Sequence, residues 1–311
     1  MLPSVSIVIP TFNRAHLIEP AIQAALSQSH PKKSVLVVDD GSTDDTNDAV
    51  RPYLAHPAFC YVRLARNVGT ARAKNVGIAL SAADAITFHD SDDIPARDKV
   101  LRQARVIGND SIGAHPCLNW RLSGREPGSS IQVGAVLTHH ELILPDGDRV
   151  EIRRTLSLVD DFFPNLQMAA GVPGDWTHVN SGLFHHGVFD RLGGFLDCIE
   201  EDREFRNRLI MAGEVIWVIP EILLTKIESA DSLTQSSETD YDSRRRQQER
   251  DHVWNAVEQW FRTRRVDPVP IDLSGIEIAE LSNPSLCDQD HAARLGLRLA
   301  SGLGRAMPDV A

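Results

Sequence analysis

Val5-Ser6-Ile7-Val8-Ile9-Pro10-Thr11-Phe12-Asn13-Arg14 is the stretch that decides the fold. Its opening residues are apolar and β-branched at nearly every place, a proline stops the run, and helical spacing takes over. With Asn13 read as the N-cap, Leu17, Ile18, Ala21, Ile22, Ala25 and Leu26 recur four apart and mark one buried helix face, with Pro20 expected near the first turn. Downstream, β-rich runs recur at Ser34–Val38, Cys60–Leu64 and Ala85–His89. A helix is predicted from about Ala71 to Ser81, and another after Pro95, with Val100, Leu101, Ala104 and Ile107 on one side. This βαβαβ order predicts an α/β fold class: a Rossmann-like, mainly parallel sheet flanked by helices. Ligands of such sheets bind outside the carboxyl ends of the strands. Pro10 and Thr11 after the first strand, Asp39 and Asp40 after the second, and Asp90 to Asp93 after the fourth are therefore the first candidate site residues.

Asp90, Asp92 and Asp93 fall between a β-rich run and Pro95, so three carboxylates share one strand-to-helix loop. Hard divalent cations such as Mg²⁺ and Mn²⁺ take oxygen ligands and keep positions open for phosphates, whose charge they neutralise in a leaving group. The plainer reading is a solvated Asp-rich turn that caps the next helix. The loop Asp39-Asp40-Gly41-Ser42-Thr43-Asp44-Asp45-Thr46 offers acceptors to a base N–H, or simply a cap for the helix behind it. Asp202 begins an amphipathic helix over Asp202–Ala212, where the dipole favours its ionised, proton-accepting form; its plainer role is an N-cap.

The 311 residues suit one large α/β domain with an appendage, or two modest domains. A hydrophobic share of 42% with 24% charged residues excludes a disordered or fibrous chain. A formal net charge of −11 argues against a nucleic-acid partner. An acidic chain that handles phosphate must concentrate positive charge locally, as a bound metal does. Cys60, Cys117, Cys198 and Cys287 lie far apart and form no C-x-x-C pair, so neither a zinc site nor a disulfide framework is expected. No charged leader precedes the first strand, and no apolar run of about 18 residues occurs. The expected location is cytoplasmic, with at most peripheral contact at the inner face of the cell membrane.

Beyond residue 112 a hairpin is expected where Leu142–Leu144 and Arg149–Ile152 flank Pro145 to Asp148. Helical texture returns at Gly187–Leu192, and Gly213 stops the Asp202 helix before a strand at Val215–Ile219. A helix from about Arg244 to Arg264 places Val253, Trp254, Val257, Trp260 and Phe261 on one face, and a last helix is expected from about Asp290 to Ala300.

Taken in order, Ser6 to Arg14, Val37 to Thr46, Asn67-Val68-Gly69 with Lys74-Asn75-Val76-Gly77, and Phe88-His89-Asp90-Ser91-Asp92-Asp93 closely resemble family 2 glycosyltransferases. Asn180-Ser181-Gly182, Phe189 to Phe195, and Glu201-Asp202 with Arg208-Leu209 complete a resemblance that covers about residues 4 to 234. It implies an A-type glycosyltransferase fold and an inverting transfer from a nucleotide sugar, UDP-linked, to an acceptor hydroxyl on a saccharide or lipid-linked saccharide. The same resemblance implies a place in bacterial surface polysaccharide or glycoconjugate synthesis. It also implies roles: Thr11 and Asp40 at the nucleobase beside Pro10, Asp92 at the ribose, and Asp93 with Asp90 at a Mn²⁺ or Mg²⁺ ion and the diphosphate. Lys74 would face the phosphates, and Asp202 would be the general base. Residues 1–112 would then be a nucleotide-binding βαβ half, 113–234 the acceptor-binding half of the same catalytic domain, and 235–311 a mainly helical C-terminal extension.

Two positions depart from the pattern. Lys74 stands where the family usually has Arg, with Arg72 as the nearby alternative, and Ser229 stands where many relatives carry a His. His185 and His186 are candidate replacements, set against the plainer reading of surface or core histidines. A sugar nucleotidyltransferase would need a Gly-rich turn after strand one, and a dinucleotide-dependent oxidoreductase a G-x-G-x-x-G there; Pro10 to Arg14 contains no glycine. A non-catalytic nucleotide-sugar-binding or scaffold protein on the same fold is the alternative outside enzymes.

Overall fold

The computed structural model describes residues 1–108, 133–152, 182–227 and 243–300. The β-branched runs form β1 (Val5–Thr11), β2 (Lys33–Asp39), β3 (Phe59–Leu64) and β4 (Ala85–Phe88), parallel in the spatial order β3-β2-β1-β4. Along β1 the side chains alternate: Val8 joins one buried cluster, and Val5, Ile7 and Ile9 join the other. Both faces are covered, which is why these strands read as unbroken apolar runs. Helix α1 (Ala15–Leu26) buries Ile18, Ala21, Ile22 and Ala25. It is followed by α2 (Thr46–Val50), α3 (Thr70–Leu80) and α4 (Lys99–Ile107).

Asn13 is not the N-cap. It has φ 53, its Oδ1 accepts from Thr43 N at 2.8 Å, and Arg14 takes the cap position. The side chain of Asn13 ties the loop after β1 to the loop after β2 instead of closing its own helix. Pro20 lies inside α1, one turn later than expected.

Beyond β4 the sheet turns mixed. Strand β5 (Asp93–Pro95) separates the acidic residues from α4, so they sit on a strand-to-strand turn and not on a loop that leads directly into a helix. Strand β6 (Val133–Ile143) pairs with β7 (Arg149–Ile152) as the expected hairpin. β8 (Leu183–His185) runs antiparallel to β4 and β6, and β9 (Val215–Ile227) lies parallel to β6 and antiparallel to β5. Helices α5 (His186–Leu192) and α6 (Glu201–Met211) precede β9.

Helix α7 (Arg244–Thr263) buries Val253, Val257 and Trp260, whereas Phe261 is 60% exposed and leaves the face assigned to it. The segment after it crosses to the other side of the sheet. There β10 (Glu277–Leu281) pairs antiparallel with β3, and β11 (Arg298–Leu299) pairs with β10. Between these strands α8 (Gln289–Arg294) ends short of Ala300, because the chain turns to enter β11. Cys60 and Cys287 do meet, with sulfurs 3.4 Å apart, yet both are free thiols. Among the described residues no helix is long and apolar enough to cross a membrane.

Candidate functional site

The carboxyl ends of β1, β2 and β4 lie side by side, since Thr11 pairs with Asp39 and Val8 with Phe88. Thr11 is 5% exposed, and its Oγ1 has no hydrogen-bond partner among the described residues; Pro10 before it is half-buried. Asp40 is buried and accepts from Val68 N at 2.7 Å and Gly69 N at 2.8 Å. Burial nevertheless pushes its pKa up to about 6, against those two bonds. Gly41 makes the approach of the 66–69 segment possible: its φ is +75, and a Cβ there would lie 2.6 Å from the carbonyl carbon of Arg66. Asp39 is fully buried and engaged by Ser42 N and the Tyr61 hydroxyl, so it braces the loop.

The acidic residues form a four-residue turn closed by Asp93 N donating to Asp90 O at 3.1 Å. Oxygens of Asp90, Asp92 and Asp93 all lie within 4.8 Å of one another. Asp93 is 3% exposed, and neither of its carboxylate oxygens has a hydrogen-bond partner among the described residues. Burial, opposed by Lys226 and reinforced by Asp90 and Asp92, pushes its pKa up to about 7. Burial and then Asp90 also raise Asp92, while Lys226 and Arg14 act against them. Crowded carboxylates of this kind, with the buried Asp93 among them, fit a hard divalent cation. Asp90 and Asp93, with Asp92, would hold it.

The third element comes from α3 and α6. Lys74, 1% exposed, donates to Asp202 Oδ1 at 2.8 Å and to Glu201 Oε1 at 3.0 Å, and its ammonium lies 5.0 Å from the Phe195 ring centre. Burial opposes its charge, but Asp202, Glu201 and Asp90 together outweigh burial and raise its pKa. Glu201 is pushed up to about 7 by burial, against Lys74. Asp90 acts on Lys74, and Asp202 acts on Lys226, so the acidic turn and the α6 carboxylates share one electrostatic neighbourhood. Asn75 clamps the Phe195 backbone, its Nδ2 donating to Phe195 O and its Oδ1 accepting from Phe195 N, and Arg208 pairs with Glu204 while donating to the carbonyls of Leu192 and Gly194. These bonds fix the start of α6 relative to α3.

His185 and His186 belong to the other end of the sheet: His185 pairs with Ala85 at the start of β4 and accepts from Gly187 N, and His186 Nδ1 meets Ala83 O. Arg72 reaches Ser274 O and acts on Asp40 from there. Ser229, Asn180, Ser181 and most of the 113–177 region lie outside the described residues. Sequence reasoning missed Lys226, 3.4 Å from Asp93 Oδ1, because only the pairing of β5 with β9 brings it there. It also gave Glu201 no role of its own, and it passed over Lys99, fully buried behind the turn with its pKa lowered by burial to about 7 beside the His89 ring.

Residues 6–126 match the model of the family described as Glycosyl transferase family 2. The chain is 35% identical over 106 residues to TuaG of Bacillus subtilis (strain 168), named for teichuronic acid biosynthesis, which covers 34% of this chain and 42% of TuaG. It is 27% identical over 219 residues to the glycosyltransferase AglE of Haloferax volcanii, covering 70% of this chain and 60% of AglE. The chain spans as little as 16% of the length of other curated relatives. The crystal structure of S. aureus TarS 1-349 in complex with UDP aligns with a TM-score of 0.55 over 84% of this chain and 72% of that one, at 15% identity. The two share the A-type glycosyltransferase fold.

Proposed function

We propose that this chain, whose residues 6–126 match the family 2 glycosyltransferase model, moves a sugar from a UDP-linked donor to an acceptor hydroxyl with inversion, in the synthesis of a bacterial surface polysaccharide or glycoconjugate. The observation that carries the reading is the pairing of Lys74 with Asp202, a carboxylate at the start of α6 within electrostatic reach of the acidic turn. The name of TuaG supports a surface-polymer product, and the UDP bound in the TarS structure supports the choice of nucleotide.

In this reading the chain's own groups divide the work. Thr11, whose hydroxyl has no partner among the described residues, and the buried Asp40 receive the nucleobase. Asp92 takes the ribose. Asp90 and Asp93 would hold a Mn²⁺ or Mg²⁺ ion, which would supply charge neutralisation for the departing diphosphate. Asp202 accepts the proton of the acceptor hydroxyl as that oxygen bonds to the anomeric carbon and the bond from that carbon to the phosphate oxygen breaks, releasing the nucleoside diphosphate. Residues 1–112 serve the donor and 113–234 the acceptor.

The test is turnover of a panel of nucleotide sugars with Mn²⁺, read as nucleoside diphosphate release. Wild type is expected to consume a UDP-sugar, and Asp202→Asn to lose at least ~100-fold in rate while still being stabilised thermally by UDP. Full activity in Asp202→Asn, or no stabilisation of wild type by any nucleotide, overturns the reading.

A further inference from the structure

Lys226 meets the acidic turn from the facing strand. β5 and β9 pair so that Asp93 and Lys226 are register partners, and the ammonium lies 3.4 Å from Asp93 Oδ1 and 3.6 Å from Asp90 Oδ2. Asp93 is nearly inaccessible and its oxygens lack hydrogen-bond partners among the described residues, so this ion contact is a direct compensation for its charge, to which Lys99 adds from behind the turn. Asp90 and Asp93 are also the residues that would hold the divalent ion. An ammonium and a divalent cation within a few ångströms of each other in a half-buried site repel strongly, and the carboxylates cannot serve both fully.

We propose that Lys226 is an internal counter-ion that competes with the divalent cation for Asp90 and Asp93. When the cation binds, the ammonium leaves the carboxylates, and the diphosphate of the donor is the anion that takes it up. The inference rests on the metal-assisted reading above and extends it: metal and nucleotide loading become coupled, because the displaced ammonium gains an anionic partner only when the diphosphate is present. Lys suits this role better than Arg, since a compact charge on a flexible stem changes partners without breaking a bidentate contact.

The experiment is Mn²⁺ titration of the full chain, followed by the electron paramagnetic resonance signal of free Mn²⁺, with and without UDP. Lys226→Met is expected to bind Mn²⁺ without nucleotide roughly tenfold tighter than wild type, and Lys226→Arg to remain weak. UDP is expected to enhance Mn²⁺ affinity more in wild type than in Lys226→Met. Equal or weaker binding by Lys226→Met overturns the inference while leaving the metal-assisted reading intact. Absence of Mn²⁺ binding at millimolar concentration in every variant, with UDP present, overturns both. If Lys226→Met loses its circular-dichroism signature, the comparison moves to Asp90→Asn against Asp90→Asn with Lys226→Met, where one carboxylate and one ammonium leave together. Tighter binding by the double variant supports the competition, and unchanged binding rejects it.

Discussion

Lys74 Nζ lies 2.8 Å from Asp202 Oδ1, joining α3 to the first turn of α6 in a buried ion pair. Because Glu201 shares the same ammonium at 3.0 Å, removal of Lys74 takes the shared contact ion from two adjacent carboxylates. Lys74→Met is expected to lower stability by about 3–5 kcal/mol and to reduce turnover by at least ~100-fold through loss of base orientation. Urea unfolding and nucleoside diphosphate release measure the two effects separately.

Glu201 supplies a pH dependence. Burial raises its pKa to about 7, so below that pH it is neutral and the whole charge of Lys74 acts on Asp202. As pH rises through about 7, Glu201 ionises and takes a share of the ammonium, so that Lys74 no longer acts on Asp202 alone. The rate is therefore expected to climb across that window. In Glu201→Gln the climb near neutrality should vanish, with a lower plateau above it; an unchanged profile refutes the coupling.

Asp40 sets a second window. Its pKa is raised by burial from 3.8 to about 6, so the folded state holds this proton more tightly than the unfolded chain does. Its contribution to stability accordingly falls as pH rises from about 4 to about 6. Uridine, which has no phosphate to titrate, should bind more tightly as the carboxylate ionises, by roughly tenfold between pH 5 and 7. Calorimetric titration across that range should show the rise in wild type and a flat profile in Asp40→Asn.

Among the described glycines, Gly193 is the one where an added Cβ would come closest to a neighbouring atom. Its φ is +76, and a Cβ there would lie 1.7 Å from Val269 O, where the segment after α7 pairs with the end of α5. Gly193→Ala is expected to cost roughly 2–4 kcal/mol, combining a left-handed backbone with a clash that only backbone movement relieves. Chemical denaturation checks it.

The parallel half of the sheet was legible because each of its strands is a local apolar run with a polar stop, and the loops that end them carry the site candidates. Asn13 misled because Asn is at home both at caps and in left-handed turns, and only the distant Thr43 N decides between them. β10 was not legible: Glu277–Leu281 has two acidic residues in five, and its partner β3 lies more than two hundred positions earlier. The pairing of Lys226 with Asp93 and the meeting of Cys60 with Cys287 are products of register for the same reason. Asp90, Asp92 and Asp93 could be named from their spacing; the ammonium among them could not.

The antiparallel β10 does more than lengthen the sheet. It occupies the backbone N–H and C=O groups of β3 that would otherwise face water as an open row. A chain trimmed to the stretch that matches the family model would expose that row and invite strand addition between molecules, so self-association during expression is its foreseeable fate even with every site carboxylate still in place.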